Sequence, residues 1–340
     1  MIDRQKLASL PKLADRNFVI GFLLPILIAA LAALVLYRDV EPTAQIWKGV
    51  LHGKSFTDLM LLAVGIWSSA VLLLMCNHGL YQLLEGYWGP FRWGNSLDRM
   101  RAKFDFEVTK LESLDKEIRE SKEMAFPDTK REYYMKMQEF YERFPYERHL
   151  VLPTWFGNTI RAFETYSLKV YNVDSIPAWL RIAGVIPKSV QTQIENVRAE
   201  TDFFVNLWFL SILFAVLAGL RSGYDFIMRK PGEGVVDLAV ILVALLTASG
   251  AYKGAIARAR SWGGLVKSAF DLYLGALAKQ LGYRLPEREA ERRDFWDAVN
   301  SMFLYLTPII PEKWPRAEPE LVGQLGLDDV RQPWGCLSLA

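Results

Sequence analysis

The polar side chains that interrupt the long apolar runs of this chain are where chemistry would be done. Asn77, His78 and Tyr81 stand near one end of the run Leu59–Leu84, and Asn206 stands in the run Phe203–Leu220. A charged or strongly hydrogen-bonding group inside an apolar span is costly unless it meets a partner or a polar path. Asn77, His78 and Asn206 are therefore the candidate pore or polar intramembrane residues. His78 would either serve a proton or ion pathway or be a hydrogen-bonded structural group. Asn206 would be its partner or a plain helix–helix hydrogen bond. Asp202 and Lys253 close neighbouring ends of two runs and are candidates for an ion pair. Asp58 and Asp237 close the opposite ends; on a shared outer vestibule they would attract cations, and apart they are ordinary interfacial residues.

Other chemistries find little footing. His52, His78 and His149 lie far apart, and no CxxC, HExxH, GxGxxG or GxxxxGK[ST] pattern occurs. The two cysteines, Cys76 and Cys336, do not make a disulfide framework; Cys76 reads as a small apolar side chain. Asn158, Arg161, Glu164 and Asp174 are polar, but no nucleophile–base pair can be drawn from their spacing. No catalytic residue, metal or cofactor is expected.

Four elements must position these residues. The chain has 340 residues, 51% hydrophobic, 13% aromatic and still 23% charged, a mixture suited to a protein part embedded and part in water. Its net charge of +2 gives no global field for nucleic acid. Phe18–Tyr37, Leu59–Leu84, Phe203–Leu220 and Leu238–Tyr252 hold 20, 26, 18 and 15 residues without a formal charge. At a rise of ~1.5 Å per residue the first three cross a hydrocarbon layer of ~30 Å, and the fourth does so with its ends snorkelling. Pro25 kinks the first, which is tolerated where a neighbour satisfies the freed carbonyl. The first run is read as retained, since no short apolar region with a small-residue cleavage site precedes it.

Lysine and arginine set the orientation: fourteen lie near the runs on one side and six on the other, which places both termini in the cytoplasm. The expected layout is a cytoplasmic N-terminus (1–17), a span (18–37), an outer loop (38–58) and a second span (59–84). A cytoplasmic helical insertion (85–202) follows, then a span (203–220), an outer loop (221–234), a span (235–252), cytoplasmic helices (253–306) and a tail (307–340). The fold class is an all-α membrane protein with four transmembrane helices and a helical cytoplasmic domain formed by 85–202 and the C-terminal region.

Within the insertion, Leu97, Met100, Phe104, Val108 and Leu111 make one apolar stripe, and Tyr133, Met137, Phe140 and Phe144 make another. Between these and the third span lies an apolar, aromatic stretch, 151–186, broken by Pro, Gly and Asn. Thr154 reads as the N-cap of a helix there. Two readings stay open: packed core, or a membrane-surface element with Trp155, Trp179 and Arg181 at headgroup level. After the fourth run the helical stripe continues to Leu281, with Gly263-Gly264 as the place for a bend. Small residues from Ala248 to Ala255 permit close helix approach, within one subunit or between copies.

The segments "LPTWFGNTIRAFE" and "RSWGGLVKSAFDLYLGALAKQLG" resemble parts of a family of bacterial multipass membrane proteins with this two-plus-two layout. That resemblance implies a bacterial inner membrane and carries no particular activity. The layout is also similar to that of bestrophin-type anion channels, though the acidic cluster expected after the final span in that family is absent. The functional expectation is a homo-oligomeric, channel-like membrane protein. The alternative is a membrane-anchored scaffold or sensor recruiting a soluble partner through its cytoplasmic helices.

Overall fold

The apolar runs and amphipathic stripes become helices in the computed structural model, which describes residues 15–36, 56–90, 95–120, 127–227, 234–308 and 313–317. Among the described residues there is no strand, only a single bridge between Tyr283 and Arg316. Helix α1 is composite: Arg16–Phe18, a π-helical turn Val19–Leu23, and Leu24–Leu36. It is followed by α2 (Phe56–Glu85), α3 (Ser96–Glu120), α4 (Pro127–Arg143), α5 (Trp155–Glu164), α6 (Tyr166–Tyr171) and α7 (Ser175–Ile182). Then come α8 (Lys188–Ile227), α9 (Gly234–Gln280) and α10 (Glu289–Tyr305). Four of these helices, α1, α2, α8 and α9, are long and apolar enough to cross a membrane. Helix α9 runs unbroken through Gly263-Gly264 for 47 residues, about 70 Å. The helix is not interrupted at the glycines, and Gly263 receives the Phe163 ring, which would lie 2.5 Å from an added Cβ.

The chain divides into two compact units. The first comprises Met1–Phe163 and Thr192–Leu265, the second Glu164–Gln191 and Val266–Ala340.

In the first unit α3 and α4 form a hairpin. Their stripes bury Met100, Phe104, Phe140 and Phe144 in one cluster, closed by Val151 and the half-buried Trp155. The rings meet edge-on or tilted: Phe104 lies 5.6 Å from Phe144, and Phe144 lies 5.3 Å from Trp155. Lys103 sits 5.0 Å over the Trp155 indole.

The start of α5 is knotted to the end of α2. Gly86, at φ +89°, ends α2 in the left-handed region that favours glycine. The Thr154 hydroxyl donates to the Leu84 carbonyl at 2.6 Å and accepts from the Gly157 amide at 2.9 Å, so one side chain caps two helices. Asn158, fully buried, donates to the Leu152 and Thr154 carbonyls and accepts from the Leu152 amide. Gly157 lies so close to α2 that an added Cβ would fall 2.5 Å from the Glu85 carbonyl oxygen. The stretch "LPTWFGN" is thus a structural junction in which the Thr154 and Asn158 side chains hold the turn and tie it to α2.

In the second unit α6, α7 and α10 pack around Phe295, Trp296 and Val299, all buried. Asn300 clamps the turn before α7, donating to the Asn172 carbonyl at 2.7 Å and accepting from the Asp174 amide at 2.9 Å. Asp174 caps α7 through the Ile176 amide. Within 307–340, residues 313–317 return to this unit: Trp314 lies 5.7 Å from Phe295, and Arg284 donates to the Pro315 carbonyl.

Candidate functional site

A polar cluster forms inside the first unit where three of the long helices meet. Gly21 of α1, Asn77 and Tyr81 of α2, and Asp202 and Asn206 of α8 meet there. Residues four apart lie on one face of an α-helix, so α2 and α8 each present two adjacent groups to the same region. Asp202 and Asn206 are buried.

Pro25 explains part of the arrangement. Proline has no N–H, so the carbonyl four residues earlier, that of Gly21, has no α-helical donor. The chain answers in two ways. Residues Val19–Leu23 adopt a π turn, and the Asn206 amide donates to the Gly21 oxygen at 2.8 Å. Glycine is needed at 21, because an added Cβ would lie 3.2 Å from the Asp202 Cβ and 3.4 Å from the Ala199 carbonyl oxygen.

Asp202 is held by neutral donors. The Asn77 amide donates to its Oδ1 at 3.0 Å, and the Tyr81 hydroxyl donates to the same oxygen at 2.8 Å. Tyr81 is fixed edge-on against Phe156 at 5.5 Å, which couples the cluster to the α2–α5 junction. The side-chain oxygens of Asn17, Asn77 and Asn206 are buried without a hydrogen-bond partner in the protein.

The expected pairing of Asp202 with Lys253 is not formed. The buried face of α9 is Ala251, Ala255 and Ala259, and Gly254 receives the Phe204 ring, so position 253 turns outward and Lys253 is exposed. Asn206 meets the α1 backbone and not His78. His78 is exposed on α2, its Nε2 3.1 Å from the Gln82 amide nitrogen. The side chains of Asp58 and Asp237 lie outside the described residues. Of the three interface candidates, Trp155 is half-buried in the α3–α4 cluster. Trp179 is half-buried with its ring 6.1 Å from Phe270, and Arg181 is exposed with its guanidinium 3.8 Å over the Phe303 ring. Tyr81 and Gly21 were not singled out as a set with Asp202; the signal was the one-turn spacing of polar residues at matching ends of two apolar runs, Asn77/Tyr81 and Asp202/Asn206.

Beyond Asn206 the interior turns apolar. A cleft of about 300 Å³ lies between α1, α8 and α9, lined by Ile28, Leu207, Phe214 and Val240, with Ser211 and Thr247 its only hydroxyls. Among the described residues no line of polar groups continues from the cluster along this cleft. Among the described residues no group of His, Cys, Asp and Glu is arranged to hold a metal ion.

In comparisons with family models, curated proteins and solved structures, nothing matches this chain.

Proposed function

We propose that the chain is a multipass protein of a bacterial inner membrane, with both termini cytoplasmic, that assembles as a homo-oligomer into a channel-like structure with α2 around the axis. The observation that carries this reading is the surface of α2. Only 11% of its apolar stretch is buried within the chain, against 22–28% for the other three long helices. The exposed face holds Ser68, Met75 and His78, with Gln82 hydrogen-bonded to the imidazole. Facing hydrocarbon, a histidine–glutamine pair is costly; facing other copies, the same groups line a polar path. The apolar cleft within one chain supports the same reading, since a conducting path belongs between chains. Cysteine placed at Met75, in a chain with Cys76→Ser and Cys336→Ser, is expected to cross-link copies in native membranes on mild oxidation. Uncrosslinked protein, together with a monomeric mass in detergent, overturns the assembly.

The scaffold or sensor reading is favoured by one observation of its own. The second unit exposes Ile176 (67%), Leu180 (78%), Tyr305 (74%) and Leu306 (88%). Apolar surface of this kind fits a soluble partner of the cytoplasmic helices. Replacing Ile176 and Leu180 by serine would then release that partner while leaving membrane assembly intact.

A further inference from the structure

We infer that the groove between α8 and α9, at the point where the start of α5 meets them, binds one anionic phospholipid of the bilayer. The groove lies within the first unit and holds about 350 Å³. Its lining changes character along its length. Trp208, Ile212, Leu245 and Ala248, all inside the apolar runs of α8 and α9, make one part. Tyr252, the last residue of its run, makes the other together with Pro153 and Trp155 at the start of α5. Leu245 is 48% exposed, so the apolar part is open on the flank of the span. A ligand that enters from that side must itself dissolve in hydrocarbon. Ligand pockets are mostly apolar with a few placed polar groups, and Trp and Tyr collect at headgroup level. A groove apolar along the span and aromatic at its end matches a lipid whose acyl chain lies along α8 and α9.

The polar end is held in place. The Phe156 amide donates to the Tyr252 hydroxyl at 3.3 Å, which fixes the start of α5 on α9. Ser249 lines the same groove. Thr247, two residues earlier, returns its hydroxyl to the Val243 carbonyl at 2.9 Å, the usual use of a hydroxyl within a helix. Ser249 is exposed in the groove and makes no hydrogen bond among the described residues, so its hydroxyl is free for an ester carbonyl of the lipid. Charge sets the headgroup. Met100 and Trp155 line the groove, and Lys103, one turn from Met100 on α3, stands 5.0 Å over the Trp155 indole. Lys103 is exposed and makes no salt bridge among the described residues. A lysine ammonium binds phosphate as a point charge, and basic side chains beside membrane helices select anionic lipid. The site rests on the proposed placement of the long helices in a bilayer, and not on the channel or on assembly. Protein that stays in the membrane fraction but retains no lipid fails here alone.

The test uses the purified full chain, stripped of lipid in a neutral detergent and titrated with phosphatidylglycerol or phosphatidylcholine. Phosphatidylglycerol is expected to raise the melting temperature saturably and to be retained at one molecule per chain in native mass spectrometry. Lys103→Gln is expected to weaken its binding by about fivefold, the effect of one basic residue at a membrane surface. Ser249→Trp fills the groove from an exposed position and is expected to abolish retention. The wild-type comparison needs no variant to fold. No retained lipid overturns the proposal, as it would if a second copy of the chain covered the groove. So does equal binding of phosphatidylcholine, retention without saturation, which is bulk solvation by lipid, or retention unchanged in Ser249→Trp.

Discussion

Asn206 donates to the Gly21 carbonyl at 2.8 Å, the oxygen that Pro25 leaves without a helical donor. Two residues 185 positions apart thus complete one turn of α1. Asn206→Leu is expected to destabilise the protein by about 1–3 kcal/mol, the cost of a buried acceptor left unmet. Pro25→Ala returns an N–H to the helix and is expected to recover part of that loss. Chemical denaturation of the single and double variants in detergent checks this; strictly additive effects would mean that the two residues do not share the Gly21 oxygen.

Gly157 makes a second prediction. A methyl group there would meet the Glu85 carbonyl oxygen, which belongs to backbone and cannot move aside. Gly157→Ala is expected to cost about 1–3 kcal/mol. Gly250, in α9, has nothing within 4 Å of an added Cβ. Gly250→Ala is expected to be neutral or to stabilise by up to about 1 kcal/mol through helix propensity. Melting temperatures of the two variants measured side by side decide it.

These two sites also show what could be read from the chain alone. The apolar runs, the stripes of α3 and α4, and Thr154 as a cap all follow from local periodicity and residue type, and the helices form where those patterns stand. The need for a partner at the carbonyl freed by Pro25 was legible, but its identity was not. Which of the polar residues in the other runs reaches Gly21 depends on how α1 and α8 rotate about their axes. The same rotation turns Lys253 away from Asp202 and presents Asn77 and Tyr81 instead. Helical phase across long separations is set by packing, here by Gly21 against Asp202 and Gly254 against Phe204, and small residues in an apolar run do not announce which neighbour they will meet.

A pH dependence follows from the second unit. Tyr166 and Tyr171 both donate to Asp271 Oδ1 at 2.8 Å. Burial raises both phenols, and the bonds and charge of Asp271 raise them further; Tyr171 is pushed up to about 12. In the unfolded chain a phenol titrates near ~10. The folded state therefore keeps protons that the unfolded state loses. Stability from this pair is complete below pH ~10 and falls as pH rises towards ~12. The melting temperature should decline more steeply over that window in the wild type than in a Tyr166→Phe, Tyr171→Phe variant. Parallel curves would show that the two phenols are not held by Asp271.

Tyr81 offers a check on the polar cluster that leaves its carboxylate in place. Tyr81→Phe removes one of the two donors to Asp202 Oδ1 and keeps the ring against Phe156. The expected loss is about 1.5–3 kcal/mol, the range for a hydrogen bond to a charged group. Urea or heat denaturation reads it, and an unchanged stability would mean that Asn77 alone suffices to hold Asp202.

The most direct measurement is ion flux through purified protein in liposomes, followed across pH and membrane voltage, with insertion verified by protease protection. The channel-like account predicts flux by the wild type and a rate or selectivity changed by about tenfold or more in His78→Ala, whose side chain faces the proposed axis. Absence of flux at every pH and voltage from correctly inserted, oligomeric protein would contradict it.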